Sequence, residues 1–356
     1  MRFTLAVTAS VSDVIWTEDR IQSSRNFANK IWNAARFLFV NLDRFEESGP
    51  KLEELAAPEM RAKAPYACRG LVPLVDEWLF GRLMATTSVM NTALANYRFH
   101  EAAQVIYQFF WGDFCDWYIE WIKPELQNSD RERAVVAWKN LFAAFDRALR
   151  LLHPFMPFLT EELWHQLPQR PGDKSIALSE FPQDQPKHNG DFVAGERVNE
   201  FTRVQEVITH VRNIRAELKL DSRKKVAAEV YSSHNDIREE FARNLDGILR
   251  LAILSDLTVS AEQLPQEGGV VRSTSLFDVR IAYSDRVDVV AEKTRLKKEI
   301  EGLQKAVASK ERQLGDEIFR SRAPETIIKG LEATLAEQRI ELRKLQDRLS
   351  QLEGDA

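Results

Sequence analysis

The sequence predicts a mainly α protein in three parts: a helical bundle, a small α+β module and a C-terminal antiparallel coiled-coil hairpin. Three observations predict it. The stretch up to about residue 168 places apolar residues at a 3.6-residue period. From Lys224 the pattern switches to strand-like alternation, and the tail carries two runs of heptad spacing.

The elements follow in order. A first helix is expected from Glu18 to about Arg44, with Phe27, Ile31, Ala34, Leu38 and Leu42 as its apolar stripe. A loop rich in Pro, Glu and Lys (Ser48 to Pro65) separates it from a second helix carrying Trp78, Leu79, Leu83, Met90 and Leu94. A third runs from about His100 to Lys123, crowded with Tyr107, Phe109, Phe110, Trp111, Phe114, Trp117, Tyr118 and Trp121, and Pro124 is expected to end it. Asp130 can cap a fourth, with Val135, Trp138, Leu141, Phe145, Leu149 and Leu152 inside. The stretch His153-Pro154-Phe155-Met156-Pro157-Phe158 breaks it, and a short helix, Thr160 to Gln166, follows. Connected amphipathic helices of this kind make a bundle.

Residues 169 to about 192 read as a linker, and Val198, Phe201, Val204, Ile208, Val211, Arg215 and Leu218 mark a further helix. Val226, Ala228 and Val230 alternate with Ala227, Glu229 and Tyr231 as a half-buried strand does. A helix is expected from Asn235 or Asp236 through Ile237, Phe241, Leu245 and Ile248. A strand follows near Leu257 to Val259, then a turn at Gly268-Gly269, then a strand through Phe277, Val279, Ile281 and Tyr283. In the tail, Leu296, Ile300, Leu303, Val307, Lys310 and Leu314 form one heptad run. Ile328, Leu331, Leu335, Gln338, Leu342, Leu345, Leu349 and Leu352 form the other. Gly315 can end the first helix and Pro324 can start the second. Helices joined by so short a break fold back as a hairpin, and arms of about 28 residues would reach roughly 40 Å. The expected divisions are residues 1–17, 18–192, 193–285 and 286–356.

Composition narrows the function. A hydrophobic fraction of 44% is that of a globular protein, and no apolar run is long enough to span a bilayer. Cys68 and Cys115 stand far apart, so neither a zinc ribbon nor a disulfide framework is expected; both read as small core residues. The net charge of −5 argues against a protein that coats nucleic acid indiscriminately, but phosphates respond to local charge.

No catalytic constellation is visible. Gly-rich phosphate loops, Gly-x-Ser-x-Gly and His-Glu-x-x-His are all absent. His153 and His165 lack metal-spaced partners and read as packed or capping residues. Glu161 and Glu162 fall in the expected first turn of a helix, where acids suit the dipole. Asp113, Asp116 and Glu120 would share one face of an α-helix. They read as a solvated face, with an acid/base or magnesium site as the alternative. The first helix is more informative. Lys30, Asn33, Arg36 and Phe37 lie away from its apolar stripe, and unpaired RNA bases are read by amide, guanidinium and aromatic groups of this kind.

Whole motifs sharpen that reading. The run from Arg25 to Phe37, RNFANKIWNAARF, resembles the helix that opens the anticodon-binding domain of valyl-tRNA synthetases. Phe114-Cys115-Asp116-Trp117-Tyr118-Ile119-Glu120 is similar to a later helix of that domain. The run from His153 to Trp164 resembles a motif shared with isoleucyl enzymes. Phe319-Arg320-Ser321-Arg322-Ala323-Pro324-Glu325, between two heptad helices, resembles the tip of the valyl family's C-terminal arm. Isoleucyl enzymes are expected instead to end in a zinc-binding cysteine cluster, which this chain does not have.

The resemblance implies an anticodon pocket at Lys30, Asn33, Arg36 and Phe37. It implies an arm against the tRNA elbow, with Lys310, Arg312, Phe319, Arg320 and Arg322 as candidate contacts. It implies tRNA(Val) as partner, a cytoplasmic setting, and neither membrane nor DNA binding. The family's His-Ile-Gly-His and Lys-Met-Ser-Lys-Ser signatures and its editing domain are not found in this sequence. Arg2-Phe3-Thr4-Leu5-Ala6 resembles a stretch just after the second signature. The expectation is therefore a gene fragment or one half of a split enzyme, inactive alone. ATP and Mg, with no cofactor here, would belong to the full-length enzyme, and the catalytic domain to a longer or separate chain. The competing reading is a helical and coiled-coil scaffold without tRNA specificity.

Overall fold

The computed structural model describes residues 2–8, 17–47, 73–127, 130–167, 174–183, 194–265, 268–282, 289–316, 319 and 324–354. The Ser48–Pro65 loop, most of the 169–192 linker, Cys68 and Tyr283 lie outside them. The chain divides into two compact units, Met1–Phe201 and Thr202–Ala356.

The first unit is helical. It contains α1 (Arg2–Ala6), α2 (Glu18–Glu46), α3 (Leu74–Ala95), α4 (Phe99–Gln108), a π-helix (Phe109–Tyr118), α5 (Ile119–Leu126), α6 (Arg131–Leu152) and α7 (Pro157–His165). Helix α2 buries the stripe read from its sequence, Phe27, Ile31, Ala34, Leu38 and Leu42, and adds Ala35. Asp130 caps α6 as expected, its carboxylate accepting the Arg133 N–H at 3.3 Å. Pro124 does not end the third helix; α5 continues to Leu126. So near a terminus, a proline forfeits one hydrogen bond and the remaining turn is held by packing, since Ile122 and Leu126 are buried.

The aromatic stretch departs from α geometry. Residues 109–118 form a π-helix, whose i→i+5 bonding widens the turn. Phe114 lies at the centre of what this achieves. Its ring stacks on Phe145 (5.6 Å, 10° between planes) and meets Phe110 edge-on at 5.9 Å and Tyr118 at 6.1 Å. The wider turn also overturns the shared acidic face expected of Asp113, Asp116 and Glu120, because α spacing no longer applies. Asp113 pairs with Arg82 of α3 at 2.8 Å, Asp116 with Lys30 of α2 at 2.7 Å, and Glu120 with Lys123 at 2.6 Å. Asp113 therefore faces a cation of its own, whereas Asp116 and Glu120 both act on Lys30 and Glu120 also pairs with Lys123.

The placement of Glu161 and Glu162 also needs correction. Helix α7 begins at Pro157, so both acids lie beyond its first turn. Glu161 accepts hydrogen bonds from Ser175 Oγ (3.0 Å) and the Ile176 N–H (3.3 Å), which ties the 174–183 segment to α7. His165 contacts the same carboxylate at 3.0 Å, and His153 shares a 2.7 Å hydrogen bond with Thr160. Both histidines are structural in this arrangement.

One buried carboxylate makes folding pH-dependent. Asp76 accepts from Tyr118 Oη at 2.5 Å and from Asn140 Nδ2 at 2.8 Å. Burial raises its pKa from 3.8 to about 6 despite those two donors. Between those values the folded state keeps a proton that the unfolded chain has released. Stability therefore falls as pH rises through this window, by about 3 kcal/mol in full above pH 6. Asp76→Asn is expected to remove that slope. Urea denaturation of both proteins at pH 4.5 and pH 7 checks it, and an unchanged difference between them at the two pH values would refute it.

The second unit combines a sheet with long helices. Helix α8 (Ala194–Glu217) enters it, followed by β1 (Val226–Tyr231), α9 (Asn235–Arg243), α10 (Leu245–Ala252), β2 (Leu254–Ser260), β3 (Gly269–Ser273) and β4 (Asp278–Ala282). The single helix expected after β1 is two, interrupted at Asn244. The strand order is β2-β1-β4-β3. Strands β1 and β2 are parallel, which requires the α9–α10 crossover. Strands β1 and β4, and β3 and β4, are antiparallel. Strand β3 was not legible behind the expected turn. Gly268 does turn, at φ +70°, but the strand starts at once with Gly269, where a Cβ would lie 2.8 Å from both the Ile281 carbonyl and Arg280 Nε. Arg215 of α8 is buried and donates to the Ile253 and Asp221 carbonyls, stapling helix to sheet.

Helices α11 (Val289–Gly315) and α12 (Glu325–Gly354) form the hairpin. Leu296, Ile300 and Leu345 are buried at its seam, flanked by Leu303, Leu342 and Leu349. The two polar seam positions meet each other: Lys310 Nζ donates to Gln338 Oε1 at 2.9 Å. A polar pair among apolar heptad residues sets register at some cost in stability. At the base, Lys344 binds the Thr274 carbonyl and Asp278, both at 2.9 Å.

Candidate nucleic-acid interface

Helix α2 has an unusual charge distribution for so acidic a chain. Between Asp19 and Asp43 it carries no carboxylate, but it carries Arg20, Arg25, Lys30 and Arg36. Between those positions α2 itself offers a polyanion only cations, although Asp116 of the π-helix pairs with one of them, Lys30.

The structure divides the four predicted residues into two pairs. At about 100° per residue, Lys30 and Phe37 sit at the margins of the buried stripe, whereas Asn33 and Arg36 point opposite to it. Lys30 is accordingly half-buried. Its ammonium binds Asp116 and lies over the Trp111 ring at 5.4 Å. Burial opposes its charge, but the hydrogen bond and charge of Asp116, helped by Cys115 and Glu120, raise its pKa above the usual lysine value. Phe37 is also half-buried, packed against the core with Lys123 over its ring at 5.3 Å. Asn33 and Arg36 are exposed and make no hydrogen bond or ion pair with any described residue.

The sequence reading missed a neighbour. Trp32 is 47% exposed, with no ring or cation contact among the described residues. It shares the outer face with Arg25, Asn29, Asn33 and Arg36, all exposed. The same 100° step places it only at the margin of the stripe opposite Phe37, and its exposure is seen in the structure alone. A tryptophan beside an apolar stripe is easily counted as core, and here it is not. The outer face of α2 thus presents one indole, two amides and two guanidiniums, with no acid among them.

Around this face the chemistry is quiet. Cys115 is buried and its thiol is pushed up to about 12, chiefly by desolvation, so it is not a nucleophile at neutral pH. Burial also lifts the Asp113 carboxyl. Among the described residues no group of three or more His, Cys, Asp or Glu side chains is arranged to hold a metal. Nor is any helix there long and apolar enough to cross a membrane.

On the hairpin, the candidate contacts separate as well. Lys310 is engaged in the seam with Gln338. Arg312 is exposed and donates to its own helix at the Ala308 carbonyl, 3.2 Å away. The Phe319 N–H donates to Asp316 at 3.3 Å. Arg320 and Arg322 lie outside the described residues.

Two family models match this chain, and the first of them begins after α2 and ends in β1 of the second unit. The family described as anticodon-binding domain of tRNA ligase matches residues 76–231, and the valyl tRNA synthetase tRNA binding arm matches residues 288–353. A valine–tRNA ligase of Solibacter usitatus is 38% identical over 335 residues, covering 94% of this chain and 35% of the relative. One from Thermotoga maritima is 35% identical over 358 residues, covering 99% and 37%. One from Aquifex aeolicus is 32% identical over 366 residues, covering 99% and 29%. The chain thus spans about a third of the length of these relatives, matching their C-terminal part.

Proposed function

The chain belongs to the valyl-tRNA synthetase family, whose anticodon-binding domain and tRNA-binding arm it carries, and from that premise we propose that it holds a valine tRNA by its anticodon loop and elbow. The observation that carries the reading is the free outer face of α2. Asn33 and Arg36 stand exposed and unengaged on a helix stretch without a carboxylate. A neutral amide and a planar guanidinium can each pair with the edge of an unstacked base. Lys30, fixed by Asp116, and Phe37, under Lys123, would form the rim of the same pocket. They would close its sides rather than reach into it.

The arm would act through charge. Arg312, Arg320 and Arg322 would meet elbow phosphates, with Phe319 packing beside them, while Lys310 holds the seam that keeps the tip in place. The reaction of the whole family, ATP-dependent attachment of valine to tRNA(Val) in the cytoplasm, is assigned to a catalytic domain supplied by a longer or separate chain. ATP and Mg would be bound there. The scaffold alternative is less favoured, because Leu296, Ile300 and Leu345 of α11 and α12 are buried in the hairpin's own seam.

The test is fluorescence binding of the chain to a tRNA(Val) transcript and to the same transcript with an altered anticodon, across a salt series. The expected result is a preference for the cognate anticodon that persists as salt rises. Equal binding that fades steeply with salt would indicate phosphate contacts alone and would overturn the reading.

A further inference from the structure

We propose that Trp32 is a stacking platform for an unpaired base of the tRNA anticodon loop, an inference that rests on the function proposed above. The other described tryptophans are committed to the core. Trp78, Trp138 and Trp164 are fully buried, and Trp111, Trp117 and Trp121 pack against the cluster around them. The remaining large aromatics of α2 are committed too. Phe27 lies against Phe3 and Tyr107, Phe37 under Lys123, Phe39 against the core cluster, and Phe45 against Trp138. Trp32 alone among the aromatics of α2 leaves its ring in solvent without a ring partner. An indole so placed exposes a large apolar surface that a monomer gains nothing by showing.

Its surroundings select the occupant. Asn29 and Arg36 stand at i−3 and i+4 from Trp32 and so neighbour the ring, Arg25 lies two turns along on the same side, and Asn33 lies beside it on the outer face. An apolar protein partner would leave two amides and two guanidiniums unpaired on burial, at considerable cost. A nucleobase would not. Its π-face meets the indole, its edge meets an amide or guanidinium, and its phosphate meets the arginines. Between Asp19 and Asp43 helix α2 carries no carboxylate of its own, so it adds no repulsion toward such a partner. Phe37, the aromatic expected from sequence, is held at the margin of the core. The ring left in solvent is Trp32, five residues earlier on the opposite side of the buried stripe.

The test uses the intact chain and tRNA(Val) transcripts carrying 2-aminopurine at successive anticodon-loop positions, since stacking quenches that base. Wild-type protein is expected to quench one position strongly. Trp32→Ala should abolish that quench and raise Kd roughly 5- to 150-fold, the range that loss of a base–aromatic stack produces. Trp32→Phe should retain most of both. The melting temperature of either variant should stay near wild type, because the ring is exposed. If Trp32→Ala binds cognate tRNA and quenches like wild type, this proposal is wrong and the broader reading stands. If wild-type protein itself shows no preference for the cognate anticodon, the broader reading fails and takes this one with it.

Discussion

Replacing Asn33 and Arg36 together by alanine is expected to weaken cognate tRNA binding by roughly 2–6 kcal/mol. Each base-reading side chain is worth about 1–3 kcal/mol, and residues three apart on one helix need not add simply. Folding should be nearly untouched. Both side chains are exposed, neither bonds to another described residue, and alanine is a good helix former. The pair therefore separates recognition from stability. Discrimination is the informative quantity. If the two residues read bases, the variant loses its preference for the cognate anticodon while its salt dependence changes little. If they only touch phosphate, both transcripts weaken alike and the salt slope becomes shallower by about one for the lost arginine. A double variant that still prefers the cognate transcript as strongly as wild type would remove α2 from the interface.

Lys30 provides the contrast. Lys30→Ala takes a partner from Asp116 as well as a cation from the surface. Its effect on affinity will mix lost charge with a disturbed link between α2 and the π-helix. For that reason Lys30 is a poorer probe of base reading than Asn33, although both carry the same family resemblance.

Most of the fold was legible because its signals are periodic. The α2 stripe, the heptads of the arm and the alternation of β1 each repeat a local geometric rule over many residues, and each element forms where the rule applies. The failures occur where one residue outweighs the period. Gly269 reads as part of a turn, yet it is a glycine because β4 passes within contact of its absent Cβ. Asn244 divides what looks like one helix. Asp113 and Asp116 share a face only if the helix is α. The π bulge that separates them arises from aromatic packing between distant helices, which no local pattern in residues 109–118 announces.

The site was legible to the same degree. The polar face of α2 is legible from residue types and spacing, and its proposed role in base reading comes from the family resemblance. Which members of that face are free did not, because freedom depends on partners elsewhere in the chain. Asp116 and Trp111 claim Lys30, and Lys123 covers Phe37. Trp32 was passed over for the converse reason, that a tryptophan is assumed to be buried until its neighbours are known.

Phe114→Ala is the test of whether the π-helix supports the site, and it is expected to cost roughly 3–5 kcal/mol, the usual loss for a large aromatic removed from a core. For a unit of this size that corresponds to a melting temperature lower by about 6–20 °C. The ring is fully buried and contacts Phe109, Phe110, Tyr118 and Phe145, so little of the cavity can be filled by collapse of one neighbour. The consequence reaches beyond stability. The same turn of π-helix carries Asp113 toward Arg82 and Asp116 toward Lys30, and Tyr118 holds Asp76. If the aromatic cluster keeps the turn wide, its loss lets the segment relax toward α geometry and rotates Asp116 away from Lys30. Folded Phe114→Ala, studied well below its melting point, should then bind tRNA more weakly than wild type even though the substitution is far from the surface. Phe114→Leu, which refills most of the volume, should recover stability and binding together. Thermal denaturation followed by near-ultraviolet circular dichroism, with tRNA titration at low temperature, distinguishes the outcomes. A large stability loss with unaltered affinity would leave the π-helix a packing device only, and a loss under about 1 kcal/mol would contradict the central place of Phe114 in the core.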